Sequence, residues 1–407
     1  MKLKALTTAM ILATLPTAGA FAAALDRSGQ SISAFLQPGN YFEAGISVLD
    51  PEVSGHFKAA PNVSTGEMGD DYKFYNAALK LQPTEHFSFG LIYDQPFGAA
   101  ATYEPTALNV FNNTAGETTA VEVNTQNLSV ILGYQPTQNW NIYGGGVYQT
   151  VKGNVQLRGA AYGGPTAFGA YNASISEDSA VGWLAGIAYQ IPEIALKASL
   201  TYRSEIEHSS QLEESINGVD MSKLGYTVGD TDITTPQSVN LDFQTGIMAN
   251  TVAFANVRWV NWEDFSIRPY QFGQHANRVS AAATQGAYTK GFNLVDYTDD
   301  QWSANVGVGR KLNEQWAGNV SVGWDSGAGN PVTTLGPTEG YWNVGLGLQF
   351  SPTPATFIAG GVKYFWLGDA TAHSGAYSIP GNAQRAQVAE FEDNDAIAYG
   401  LKFGYRF

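Results

Sequence analysis

Hydrophobic residues fall on every second position through much of the chain, up to its last residue. In IAYGLKFGYRF, Ile397, Tyr399, Leu401, Phe403, Tyr405 and Phe407 share one face, and Ala398, Gly400, Lys402, Gly404 and Arg406 share the other. Leu128, Val130, Leu132 and Tyr134 repeat the pattern. So do Ile194, Leu196, Ala198, Leu200 and Tyr202, set against Lys197, Ser199, Thr201, Arg203 and Glu205. Val239, Leu241 and Phe243, then Trp302, Val306 and Val308, then Trp342, Val344, Leu346, Leu348 and Phe350 continue it. Alternation of this kind belongs to strands, whose successive side chains point to opposite faces. Fourteen strands are predicted, near 41–50, 71–83, 86–98, 119–135, 140–157, 178–190, 194–207, 235–249, 251–265, 300–311, 315–326, 341–351, 355–368 and 395–407.

The connections carry as much information. LQPTEH, YQPTQNW, YQIPEI, IMANTV, KLNEQW and FSPTPA are tight and follow the even strands, whereas every connection after an odd strand is long. Strict short–long alternation means antiparallel neighbours with all long loops at one end, as in outer-membrane barrels. A soluble sandwich or propeller predicts shorter strands and no such sidedness. A greasy outward face needs hydrocarbon to cover it, and backbone in lipid demands a closed sheet. The expectation is an all-β fold: a 14-stranded antiparallel transmembrane β-barrel over residues 41–407, with its last strand paired to its first.

Composition sharpens this. The 407 residues include 45 glycines and no cysteine, 13% are aromatic, and only 14% are charged, against roughly 25% in ordinary soluble domains. Mean hydropathy is −0.15, and beyond the first 24 residues no apolar run is long enough for a membrane-spanning helix. The net charge of −15 argues against a nucleic-acid partner, which needs clustered Lys and Arg. At the N-terminus, Lys2 and Lys4 precede an apolar stretch and small-x-small sites such as Ala22-Ala23-Ala24. This reads as a secretory signal peptide over residues 1–24, which leaves the periplasm, the outer membrane or the cell exterior; with the barrel pattern, a bacterial-type outer membrane is expected.

Fourteen strands enclose more than a side-chain-filled bore and less than a wide porin channel. Residues 25–40, LDRSGQSISAFLQPGN, carry Phe35 and Leu36 among small polar residues. They read either as a loose tail or as a short hatch inside the barrel. In YDQPFGA, 93–99, Pro96 cannot donate to the ladder and Gly98 packs no side chain. Either the third strand ends there, or Pro96, Phe97 and Gly98 form a kink that opens the wall. Lys197, Arg203, Arg258, Lys363 and Lys402 fall on inward positions, where a cation can meet a carboxylate head group. The five histidines show no metal spacing, and no nucleophile elbow is present. EIEHSS, 205–210, reads as a solvated strand end rather than a catalytic group. The acidic stretches QLEES and EFEDND read as solvating. No catalytic residue, metal or cofactor is expected.

The chain resembles the FadL/TodX group of outer-membrane transporters of hydrophobic compounds. YDQPFGA, ASLTYRSEIEH (198–208), TTPQSVNLDFQTGI (234–247), VAFANVRWVNWEDF (252–265), ANVGVGRKLNEQWAGNVSVGWDSG (304–327) and the C-terminal strand carry the resemblance, by order and spacing. The resemblance implies a 14-stranded barrel with an N-terminal hatch. It implies passive, ligand-gated passage of long-chain fatty acids or similar apolar molecules, with lateral exit at the third-strand kink. A first binding groove would lie among the loops after strands 3 and 5, where Phe111 and Phe168 are apolar candidates. By position, Arg158 is similar to the family's carboxylate-binding arginine, and Arg203 and Phe35 are further substrate-binding candidates. The stretch before the first strand is shorter than is common in the family and lacks its Asn-Pro-Ala signature. The expected partners are a hydrophobic small molecule and outer-membrane lipids, and a monomer is expected. A general diffusion porin and an outer-membrane hydrolase are the rival readings.

Overall fold

The computed structural model describes residues 24–407; the expected signal peptide lies outside the described residues, Ala24 apart. Fourteen long strands make the wall: β1 Tyr41–Glu52, β2 Tyr72–Leu81, β3 Phe87–Asp94, β4 Ala120–Tyr134, β5 Trp140–Arg158, β6 Ala170–Ile191, β7 Leu196–Arg203, β8 Ser238–Met248, β9 Thr251–Val260, β10 Gln301–Lys311, β11 Trp316–Asp325, β12 Tyr341–Phe350, β13 Thr356–Leu367 and β14 Asp395–Arg406. Each pairs antiparallel with its neighbour in sequence, and β1 pairs with both β2 and β14. That seam runs from Tyr41↔Arg406 to Glu52↔Asp395. Closure removes the free sheet edges that hydrocarbon does not tolerate.

The alternation sorts side chains as expected. On β14, Ile397, Tyr399, Leu401, Phe403 and Tyr405 are exposed to the lipid side, whereas Ala396, Ala398 and Lys402 are buried. Aromatic rings collect at two levels. Phe87–Tyr134, Trp140–Tyr189, Trp316–Phe350 and Tyr405–Phe407 pair at the end with the short turns, their centroids 4.7–5.5 Å apart. Trp183–Tyr202, Trp324–Trp342 and Tyr364–Trp366 pair nearer the loop end. Two such girdles mark the water–hydrocarbon boundaries, where amphipathic rings are favoured. The aromatic C-terminus therefore belongs to the periplasmic girdle.

Three departures from expectation matter for the site. First, β6 begins at Ala170 and is 22 residues long, beside a β5 of 19. A membrane-spanning strand needs about 9–11 residues, so both continue well beyond the hydrocarbon. Secondly, β3 stops at Asp94, and the chain resumes pairing with β4 only over Gly98–Thr102. Thirdly, the loop after β9 holds a helix, α1 Tyr270–Ala283. Pro269 offers α1 no capping side chain. Glu214 substitutes from another loop: it accepts from the Gln271 and Phe272 backbone N–H groups at 2.9 and 2.6 Å and from the Tyr171 hydroxyl at 2.8 Å. A carboxylate at this position also meets the positive end of the helix dipole. Short strands Ser54–Phe57, Ala60–Glu67, Val332–Thr333, Ala370–His373 and Gln387–Phe391 pair into a small sheet. The long loops thus pack into a cap with its own aromatic core.

Candidate functional site

Residues 25–40 lie inside the barrel, held by polar groups that the wall turns inward. Arg258 on β9 forms a 2.6 Å ion pair with Asp26 and donates to the Gln30 side chain at 3.0 Å. Arg203 on β7 donates to the Gln30 carbonyl at 3.1 Å, and Asn240 on β8 to the Gly29 carbonyl at 2.7 Å. Lys197 donates to the Leu36 carbonyl at 2.8 Å, and Lys80 on β2 to that of Gln37. Ser28 donates to Asp94 at 2.7 Å. Ile32, Phe35 and Leu36 are buried. The Phe35 ring occupies a slot made by two glycines: a Cβ on Gly90 of β3 would overlap it, and one on Gly133 of β4 would lie 2.8 Å from its Cζ. Tyr143 meets the ring edge-on at 5.7 Å. Lys402 takes no part, being paired with Glu43 at 2.9 Å.

The break after β3 is where this segment reaches the wall. The Arg27 N–H donates to the Pro96 carbonyl at 2.6 Å, the Gly98 N–H donates to the Leu25 carbonyl at 2.8 Å, and Asp26 bridges Phe97. β2 and β3 pair only from Ala77↔Tyr93 to Leu81↔Phe89. Among the described residues, the ladder between β2 and β3 thus stops at Ala77, and above it Lys73–Asn76 pair with β1 on one side while Gln95 reaches the Tyr75 N–H from the other. Higher still, pairing resumes at Gly69↔Ala101, so the β2–β3 ladder is interrupted over a short stretch, here termed the window. The Arg27 guanidinium lies in it, stacked over the Tyr72 ring at 3.8 Å. Gly98 makes room, since a Cβ at that position would overlap the guanidinium. Phe97 turns inward against Trp262, their rings 5.5 Å apart.

Between this segment and the loop cap lies a small apolar cavity of about 50 Å³, lined by Leu25, Gly98, Val121, Val123, Val155 and Leu294 among others. Its origin is a change of phase along the strands. Within the membrane, β4 turns Leu128, Val130 and Leu132 outward and Thr125, Asn127 and Ser129 inward. Above it, Val121 and Val123 are the buried side chains, and Glu122 is exposed. β5 and β6 do the same with Val155, Ala173 and Ile175 inside and Asn154 and Ser174 outside. The inward face of the wall is thus mixed at membrane depth, where Thr125, Asn127 and Ser129 stand beside Ile131, Ile92 and Val147, and apolar above it. On the outer side of the window, Arg27, Tyr72, Glu122 and Asn124 line a polar cleft.

The residues proposed from sequence fall into separate places. Pro96, Phe97 and Gly98 form the break, and Phe35 and Arg203 lie on or beneath the N-terminal segment. Phe111 is buried in the cap, stacked on Tyr103 at 3.9 Å. Phe168 is enclosed by Phe272, His275 and Phe292 at 4.3–5.5 Å, where burial pushes the His275 imidazole below its ordinary pKa. Neither phenylalanine lines the apolar cavity. Arg158 is buried with its donors engaged by Glu117 at 2.8 Å, Asn172 at 2.9 Å and the Leu157 and Tyr171 carbonyls. In return it holds the Glu117 carboxyl below the usual range. EIEHSS is not a solvated strand end. His208 is buried, its Nδ1 2.8 Å from Asp178 and its Nε2 3.0 Å from Gln149, while Ser209 donates to Asp232 at 2.7 Å. No nucleophile and base are brought together there. Sequence reasoning missed Arg27, Tyr72 and the inward valines; the phase change in VEVNTQNLSVIL was the available signal.

No curated protein matches the sequence. Among solved structures, a Pseudomonas aeruginosa FadL homologue superposes with a TM-score of 0.68 at 14% identity, covering 96% of this chain and 98% of that one. The toluene transporter TodX of P. putida gives 0.61 at 12% identity over 92% and 91%. The toluene transporter TbuX of Ralstonia pickettii gives 0.56 at 11% identity over 92% and 91%. At these identities the likeness is one of fold. The family model "Outer membrane protein transport protein (OMPP1/FadL/TodX)" matches residues 30–407, and the chain belongs to that family of outer-membrane β-barrel transport proteins.

Proposed function

We propose that this barrel passes long-chain fatty acids or similar hydrophobic molecules across the outer membrane by passive diffusion, with residues 25–40 as its hatch and the window beside β3 as a lateral exit. The observation that carries this reading is the apolar cavity at the window, bounded below by the N-terminal segment. Family membership supports transport of hydrophobic compounds. A polar saccharide layer resists an apolar molecule, and a greasy pocket lowers that barrier. Exit through the window delivers the molecule sideways without a water-filled stage. The packed N-terminal segment argues against a general diffusion porin, and the separated His208 and Ser209 offer a hydrolase nothing to work with.

The test is uptake of radiolabelled dodecanoate and toluene by cells expressing the protein in a host stripped of its own hydrophobic-compound channels. Uptake of at least one above the empty-vector level, with no swelling of sugar-filled proteoliposomes, supports the reading. Sugar permeation without hydrophobic uptake overturns it.

A further inference from the structure

The N-terminal segment contributes one charged group with unusual surroundings. Arg27 is buried against the Tyr72 ring, yet among the described residues its Nε and Nη2 have no partner that meets the geometry of a hydrogen bond, and Nη1 reaches Asn124 Oδ1 only at 3.5 Å. Of the two carboxylates near it, Asp26 is committed to Arg258, and Glu122 on the outer face attracts the guanidinium through space while accepting from Asn124 at 2.9 Å. The other buried cations of the interior are placed differently. Lys402 is paired with Glu43, and Lys197 binds the Leu36 carbonyl. Arg203, which also has unpartnered nitrogens, stands below the segment near Asp94, away from the apolar cavity. Arg27 lines both the apolar cavity and the polar cleft outside the wall.

We infer that Arg27 is a head-group receptor: the cavity selects hydrophobic molecules carrying a carboxylate, which the free Arg27 donors bind at the window while the tail lies among Val121, Val123 and Val155. This rests on the transport reading and narrows it. A desolvated guanidinium with open donors is costly unless an anion completes it. Its planar fork matches a carboxylate's two oxygens. The Tyr72 ring beneath and Gly98 beside it fix the fork's orientation before any ligand arrives. A bare hydrocarbon fills the greasy part of the cavity and leaves the fork unmet.

The experiment compares dodecanoate with toluene, in the uptake assay above, for wild type, Arg27→Gln and Arg27→Lys. Barrel integrity is read from heat-shifted gel mobility. Charge-assisted hydrogen bonds of this kind are worth roughly ten- to a hundred-fold in affinity. R27Q is expected to raise the half-saturating dodecanoate concentration by about that factor while toluene uptake stays within twofold. R27K, which keeps the charge and loses the fork, should fall between. Equal losses for both compounds, which a merely structural latch produces, overturn the inference, as does no change for either. Wild type that takes up toluene but not dodecanoate overturns it and leaves the transport reading standing. Wild type that takes up neither removes the transport reading itself.

Discussion

Asp26 and Arg258 meet at 2.6 Å in the barrel interior although 232 positions separate them in the chain. The pair ties the N-terminal segment to β9 and is buried on both sides. Breaking such a pair leaves one uncompensated charge and costs about 3–5 kcal/mol. Asp26→Asn should therefore loosen the segment without opening the strand ladder. Single-channel recordings in planar bilayers are expected to show higher or noisier conductance than wild type, with heat-shifted gel mobility retained. Silent recordings like those of wild type would show that the segment does not depend on this pair.

Phe35 anchors the same segment further down, in the slot left by Gly90 and Gly133. Truncating a buried phenylalanine costs about 3–5 kcal/mol. Phe35→Ala and Gly133→Val should act alike, one by emptying the slot and the other by filling it. Both are expected to raise protease cleavage within residues 25–40 in folded, detergent-solubilised protein. Gly146→Ala makes the control, since open space surrounds a Cβ there.

The window depends on the break in β3. Replacing Pro96 and Gly98 with Thr and Val offers the ladder a donor and two β-branched side chains. The larger residue at 98 also evicts the Arg27 guanidinium. Hydrophobic uptake should fall several-fold while the barrel still folds. Unchanged uptake would falsify the lateral route.

Glu339, in the loop between β11 and β12, titrates unusually. Burial raises its carboxyl from the ordinary 4.5 to about 7, although Oε1 accepts from the Gly329 N–H at 3.1 Å. The folded loop thus holds a proton that the unfolded chain has released, so the folded form binds more protons between those values. Stability of the loop must then fall as pH rises from about 4.5 to 7. Hydrogen exchange of residues 326–340 should quicken over that interval in wild type. In Glu339→Gln the rise beyond the intrinsic pH dependence of exchange should be smaller, the remainder coming from Asp325, a second buried carboxylate, which accepts from the Gly327 N–H.

The barrel was legible because one physical rule, alternate residues to lipid and lumen, acts on every wall strand at once. Strand number, closure, loop asymmetry and the aromatic end all follow from it. The loop cap was not legible, because its parts stabilise one another across the chain. Residues 270–283 become a helix with Glu214 as their cap, a partner that no local spacing announces. The cavity was half legible: the valines of β4 shift phase in plain view, but only knowledge of where the hydrocarbon ends gives the shift its meaning. Arg158 and Phe168 looked available in sequence, and folding spends them on neighbours. Arg27 looked like tail, and folding leaves its donors open.

The seam of β1 with β14 has a consequence for biogenesis. Tyr41 and Arg406 pair across nearly the whole described chain, the largest sequence separation of any pair in the wall. Joining ends so far apart carries a large loop-closure cost and makes assembly slow. Until the seam forms, a membrane-inserted sheet would have two unpaired strand margins. A chain cut short before residue 395 would keep them permanently, and such a product should be recognised as unfinished and destroyed rather than inserted.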